Sequence, residues 1–556
     1  MTGRLIQVCA LYVTIMQLST MTMYRKIVLT RLQTRMLHAH YGPCAEFTPS
    51  GSPSEEFVIF NPANNQELCK VTAASPDDIQ AIIQNAQDTF VSGIWSKAPA
   101  IARAQVLSRL ARLLEERLPE ITTMESLQTG RTKREMSAQL RRVPEWLDYY
   151  AALLRTRQDF VAPTQGKLLN YVQRIPLGVV AQITVGTTVS DERSPRPDIF
   201  QPFNHPLLIA VKKIAPALAA GNSLIQAPIT VLEFARMAKE AGVPPGVLSV
   251  LPGFGHTVGK AIVSNPIVRK VDITAGTATG RALGSIVGSN LAAYTAELGG
   301  KAPIVIFNDA DVESAVNGAA FASFVASGQT CVSGTRIIVQ NRIYDEFMNK
   351  FLRKVRSIRA RMGDPLNLKS TMGSIISPRQ LDRIEAMVKR TKGKIVAGGE
   401  RMTGKSDLDG FDFGLGSFFP PTVIDDIAVE DELWQEEAFG PVVVVKRFEH
   451  ESEGVTLANA CKYGLGAGIW TTDLSRGHRI AAEIEAGLCW VNTHHRNDPS
   501  SPWGGMKESG IGRENGVEAF EAYSQSKSTI VNIASSEETN MTDDWFSEDS
   551  EGRRYG

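Results

Sequence analysis

Cysteine is scarce in this sequence: there are six in 556 residues, and no two stand at C-x-x-C spacing. That excludes a disulfide scaffold and a structural zinc site. An excess of either charge is also missing, because 59 Lys+Arg balance 59 Asp+Glu. No overall field therefore draws in nucleic acid or an anionic membrane. A membrane span is missing too. Leu5 to Met21 is apolar but broken by Gln7, Thr14, Gln17, Ser19 and Thr20, a poor match to the length and purity a bilayer demands. Internal repeats and low-complexity tracts are absent. What is present is 43% hydrophobic and 21% charged residues, the composition of an ordinary globular protein. The chain outgrows a single core, which stops at roughly 250–300 residues, so two or three domains are expected.

The two ends differ from the middle. Residues 1–45 hold five basic residues (Arg4, Arg25, Lys26, Arg31, Arg35), and the first acid is Glu46. Residues 1–49 read as a disordered leader, with a mitochondrial presequence as the alternative. Residues 536–556 are acid-rich and read as a solvated tail.

Between these ends, short apolar runs alternate with helical periods. Ser75-Pro76-Asp77-Asp78 is a helix start, with a capping hydroxyl, an early proline and acids at the positive helix end. A second amphipathic helix is expected over Ile101–Leu118. Strands are expected at Gly178–Thr184, Asn222–Ile225, Gly246–Leu251, Lys270–Thr274 and Pro303–Phe307, with helices around Leu207–Ala220 and Val231–Ala241. A second series (Arg336–Val339, Val442–Val445, Leu488–Asn492) predicts another lobe. Such alternation predicts an α/β protein with two parallel-sheet lobes, helices covering both faces of each sheet.

Ligands of open α/β sheets bind beyond the carboxyl ends of the strands. Two glycine-rich loops fall there: Gly253-Phe-Gly255-His-Thr-Val-Gly259 and Ala275-Gly276-Thr277-Ala278-Thr279-Gly280. Either could turn backbone N–H groups toward a phosphate, and either could be a plain tight turn. Cys331 lies among small residues in Ser327-Gly328-Gln329-Thr330-Cys331-Val332-Ser333-Gly334, open to a substrate or simply a buried structural thiol. Glu297 ends an apolar run ahead of Gly299-Gly300, where an apolar cleft would raise its pKa toward that of a general base; helix capping is the alternative.

Together the motifs resemble the aldehyde dehydrogenase superfamily over roughly residues 46–533. Glu297-Leu-Gly-Gly-Lys-Ala-Pro resembles its general-base signature, and Gly328-Gln-Thr-Cys331 its nucleophile signature, 34 residues apart. Pro202-Phe203-Asn204-His-Pro206 is similar to its Pro-Trp-Asn-x-Pro oxyanion motif, with Phe203 for tryptophan. Glu436-Glu437-Ala-Phe439-Gly-Pro441 is similar to the segment that holds the nicotinamide ribose, and Ser501-Pro-Trp503-Gly-Gly to the lining of the substrate tunnel. The resemblance implies NAD or NADP as cofactor, NAD being favoured, and no metal. His494-His495 then reads as part of a loop. It implies attack by Cys331 on the aldehyde, an oxyanion held by Asn204 and the Cys331 N–H, and hydrolysis of the thioester by water that Glu297 activates. Gly255, Gly259, Gly276, Thr277, Gly280, Glu437 and Phe439 would hold the dinucleotide.

Two departures from the pattern matter, one beside the oxyanion asparagine and one on the cofactor side. Seventeen residues, Val185 to Gln201, separate the strand ending at Thr184 from Pro202-Phe203-Asn204. Asn222-Ser-Leu-Ile-Gln226-Ala227-Pro228 lacks the family's Lys-Pro-Ser-Glu segment, and Ala275-Gly276 replaces its Gly-Ser. Both main departures are expected to be splicing errors in the gene prediction. If they are real, a same-fold protein with a defective dinucleotide site, a binding subunit or residual esterase, is the alternative.

Trp503 could face a cationic head group, but Phe203, Ile209 and Val325 would make the tunnel suit an apolar aldehyde. By resemblance, the cofactor domain spans 50–158 and 176–297 and the catalytic domain 298–521. A β arm of 159–175 and 522–535 would pair with another subunit, giving a homodimer or homotetramer. A reactive thiol favours the cytoplasm.

Overall fold

The computed structural model describes residues 40–41, 55–184, 204–226, 229–543, 546 and 548. Phe203, the insertion 185–201, Ala227-Pro228, most of the leader and the end of the tail lie outside the described residues.

The first lobe is built on a six-stranded sheet. Its order is Gly510–Ile511, Ala293–Glu297, Val268–Thr274, Val179–Thr184, Ser223–Gln226, Leu248–Val250. All neighbours run parallel except Gly510–Ile511, which pairs antiparallel at one edge. The central strand carries Val179, Val180, Ala181 and Ile183, all buried, as expected of a strand covered on both faces. Helix Pro206–Ala220 is buried along its whole length. Proline opens it, and Gly221, at φ 91°, ends it in the left-handed conformation a glycine adopts without strain. Helix Pro76–Ser92 opens with a reciprocal capping box between Ser75 and Asp78.

The second lobe holds a seven-stranded sheet in the order Lys394–Ala397, Thr422–Asp425, Val442–Phe448, Arg336–Gln340, Pro303–Ile306, Gly466–Trp470, Leu488–Val491. Only Lys394–Ala397 runs antiparallel. A third, antiparallel sheet joins Phe160–Ala162, Leu168–Pro176 and Ser524–Asn532.

Several elements differ from the sequence reading, two of them instructively. The helix expected over Ile101–Leu118 runs from Ala100 to Thr129, straight through Pro119. Strand Gly466–Trp470 has no counterpart in that reading; its Gly466 and Gly468 lack the branched side chains that mark strands. A Cβ on Gly466 would stand 2.9 Å from the Trp490 ring, and one on Gly468 2.7 Å from that of Trp470. Packing against bulky neighbours, not propensity, sets those residues.

Candidate active site

Glu297 closes its strand at the carboxyl edge, between Thr274 on one side and Gly510 on the other. The glycine pair that follows joins three parts of the site. A Cβ on Gly300 would lie 2.0 Å from the Cys331 carbonyl oxygen, and one on Gly299 2.8 Å from Glu437 Oε2. The Gly300 N–H donates to Glu437 Oε1 at 3.3 Å. The glycine pair therefore lets the thiol loop and Glu437 rest directly on the backbone that follows Glu297.

Cys331 follows a strained turn. Helix Val312–Phe324 ends, and Ala326 (φ 54°), Ser327 (φ 55°) and Gly328 (φ 67°) are all left-handed. For non-glycine residues that region costs about 1–3 kcal/mol each and persists only where the surroundings impose it. Here they do. Glu135 Oε1 accepts the Ala326 N–H at 3.0 Å, Ser327 donates to the Gly373 carbonyl at 2.9 Å, and the Ile376 N–H donates to Gln329 Oε1 at 3.0 Å. Beyond the thiol, His494 Nε2 lies 2.7 Å from the Val332 carbonyl. A carbonyl only accepts, so this nitrogen carries the proton. The loop of Glu437 is clamped in turn: Arg383 donates to the Glu437 carbonyl at 2.8 Å, and Gln380 Nε2 to those of Ala438 and Phe439 at 2.9 and 3.0 Å.

The thiol remains partly exposed, packed beside Val332, Leu465, Trp490 and Trp503. Burial, with the Glu297 and Glu437 carboxylates nearby, pushes its pKa up to about 12. Burial also raises Glu297 well above the usual carboxylate range, and Glu514 adds to that effect. Glu297 Oε1 is buried without a hydrogen-bond partner among the described residues. Burial carries Glu437 to about 8. The resting site thus holds a neutral thiol and protonated acids at low pH, to be ionised when chemistry demands.

Asn204 is buried, and its Oδ1 accepts the His205 N–H at 3.0 Å, leaving the NH2 group as its donor end. Arg131 Nη1 donates to the Asn204 carbonyl at 2.9 Å and to His205 Nδ1 at 2.7 Å. His205 Nε2 therefore bears the proton and faces Thr330 Oγ1 at 3.4 Å, one residue from the thiol.

The glycine-rich loops separate in role. Gly276 caps helix Thr277–Ser289 with no side-chain cap bond, and a Cβ there would meet nothing within 4 Å. An open helix start at a strand's carboxyl end fits an anionic phosphate. Thr277 is tied by its hydroxyl to the Glu508 carbonyl at 3.3 Å. Gly280 serves packing: a Cβ would lie 2.4 Å from Leu298 Cδ2. Gly255 and Gly259 bound a single wide helical turn in which Gly259 is buried. Ile209 is buried but outside the hydrophobic core clusters, while Val325 is half-buried at the helix end six residues before the thiol.

Sequence reasoning missed a buried ionic network behind Glu297. Lys213 donates to both Asp272 and Glu514; Lys212 pairs with Glu514 at 2.6 Å; Tyr523 donates to Asp272 at 2.6 Å and accepts from Gln182 at 3.1 Å. Burial alone would raise the Glu514 pKa, but the two lysines outweigh it and hold the acid at about 2. The Lys212-Lys213 pair, internal to an otherwise apolar helix, was the available signal. Among the described residues no group of three or more His, Cys, Asp or Glu could hold a metal ion.

With this geometry in hand, likeness to known proteins is direct. The aldehyde dehydrogenase family profile matches residues 47–529, and the chain belongs to that family. Betaine aldehyde dehydrogenase of Staphylococcus aureus, solved with NAD+, is 31% identical with a TM-score of 0.84, over 93% of this chain and 98% of that one. The indole-3-acetaldehyde dehydrogenase AldA of P. syringae is 31% identical (TM-score 0.80; 88% and 95% covered) and was solved with NAD+ and IAA. PnpE of Pseudomonas sp. WBC-3 is 36% identical (TM-score 0.79; 86% and 95% covered).

Proposed function

We propose that this protein oxidises an aldehyde to a carboxylic acid with NAD as the favoured cofactor. The observation that carries the reading is the meeting of Cys331, Glu297 and Glu437 around Gly299-Gly300. Cys331 Sγ attacks the carbonyl carbon, its proton leaving to water or a neighbouring base, and gives a thiohemiacetal. The Asn204 amide and the Cys331 N–H hold the oxyanion; one such donor contributes roughly 3 kcal/mol. A bound nicotinamide would supply the hydride acceptor, leaving the acyl group on Cys331 as a thioester. Glu297, once deprotonated, takes a proton from the water that cleaves the resulting thioester. Gly276 at its open helix start would face the pyrophosphate, Glu437 the nicotinamide ribose, and Phe439 the ring nearby.

The antiparallel arm supports assembly with further copies. Phe160, Val161, Ile530 and Ile533 are exposed on it, and an uncovered strand edge with apolar neighbours calls for a partner. A homodimer or homotetramer in the cytoplasm is the corresponding reading. Among the described residues, no helix is long and apolar enough to cross a membrane.

The test is reduction of NAD and NADP by simple aldehydes, run beside p-nitrophenyl ester hydrolysis. NADH formation that requires Cys331 is the expected result. Ester turnover without nucleotide reduction would instead identify a same-fold protein with a defective dinucleotide site.

A further inference from the structure

The apolar cluster against which Cys331 packs has a cation beside it. Helix Pro206–Ala220 turns Ile209 and Lys212, three residues apart, to one face. The Lys212 ammonium lies 4.6 Å from the centre of the Trp503 ring and pairs with Glu514 at 2.6 Å. Trp503 belongs to the cluster against which Cys331 packs. Around it stand His495, with ring centre 6.2 Å from Trp503 and 6.0 Å from His205, and Arg131 behind His205. The aromatic face that could receive a cationic head group already has a cation on it.

We propose that Lys212 is a specificity-determining residue whose ammonium fills the Trp503 face and excludes aldehydes that carry a permanent positive charge. This deepens the dehydrogenase reading and rests on it. A ring face holds one cation at a time, and a second would meet Lys212 across the same few ångströms. Like charges brought together in a partly desolvated site repel strongly and select against the charged partner. The carboxylates do not offset this. Glu514 is already shared between Lys212 and Lys213, while burial favours the uncharged form of Glu297. His205 and His495 add no negative charge, and Arg131 adds a positive one. The favoured substrate is therefore an uncharged or anionic aldehyde, despite 31% identity to a betaine aldehyde dehydrogenase.

A matched pair of substrates isolates the charge: trimethylammonioacetaldehyde and 3,3-dimethylbutanal differ in one atom, N+ against C. For the wild-type protein kcat/KM should favour 3,3-dimethylbutanal by about 100-fold or more, mostly through KM. In Lys212→Met the ratio should fall at least about tenfold, while Lys212→Arg should keep it. Should Lys212→Met fail to fold with Glu514 held by Lys213 alone, Lys212→Met/Glu514→Gln removes both charges and should show the same fall. Protection of Cys331 from iodoacetamide by each aldehyde gives a second readout independent of nucleotide reduction. Protection by the neutral aldehyde alone, with no nucleotide reduction, would keep the inference and remove the dehydrogenase reading. Equal use of both aldehydes, equal protection, protection by neither, or a ratio unmoved by removing Lys212 overturns the inference.

Discussion

The thiol side of the cleft and the nucleotide side are built to different tolerances. Around Cys331, an added Cβ at Gly300 or Gly328 would strike a carbonyl oxygen at 2.0 or 2.2 Å, and every strained residue of the turn has its own tether. At Gly276 the same addition meets nothing within 4 Å, and strand Ser223–Gln226 leads into Ala227-Pro228 with no lysine directly after it. Close packing makes the thiol's position a property of the fold itself. The nucleotide side relies on groups that sequence changes can remove without disturbing the core. The thiol chemistry should therefore survive where cofactor use is weakened.

The strongest way to break this contrast is to remove the sulfur. Cys331→Ser should lower both aldehyde oxidation and ester hydrolysis by ~1000-fold or more, with circular dichroism unchanged. Activity that persists would move the reaction to another residue. Next is Gly300→Ala, whose methyl group displaces the Cys331 carbonyl. Displacement of a reacting group by about 1 Å costs ~100-fold in rate, so both activities should fall together. Between the two sides, deleting Val185–Gln201 should raise NAD-dependent kcat/KM by at least about tenfold by joining Thr184 directly to the Pro202-Phe203-Asn204 segment that carries the oxyanion donor, with thiol alkylation almost unchanged. A native tryptic peptide passing from Thr184 directly to Pro202 would show the same junction in the cell. A titration sharpens the thiol side. With the Cys331 pKa near 12, the thiolate fraction grows as pH rises, so iodoacetamide alkylation of nucleotide-free protein should accelerate about tenfold from pH 7 to 8. A flat profile would mean the thiol is already ionised. The smallest effect is expected far from the cleft: Ser75→Ala should cost about 1 kcal/mol by removing the cap on Asp78 N–H, leaving activity intact.

Much of the fold was legible because its central strands are buried on both faces and open on apolar runs, VVA in Val179–Thr184 and VVVV in Val442–Phe448. Cys331 and Glu297 were legible through the short motifs around them, since the glycines those motifs contain are required by contacts at 2.0–2.8 Å. What escaped was the set of groups that act at long range in sequence. Glu135 tethers Ala326, His494 holds Val332, and Glu514 neutralises lysines 301 and 302 residues earlier. Nothing local distinguishes such a glutamate from a solvated one. Lys212 escaped for the same reason: it looks like a surface lysine until its helix is found buried along its full length.

The antiparallel pairing of Gly510–Ile511 with the strand of Glu297 has a consequence for biosynthesis. During translation the segment bearing Cys331 leaves the ribosome well before residue 510. Until that late segment docks, Glu297 has no edge strand beside it and the Lys212–Glu514 pair cannot form. A nascent or C-terminally truncated chain would thus carry its thiol without an assembled reaction centre, and competence for chemistry arrives only with the last tenth of the polypeptide.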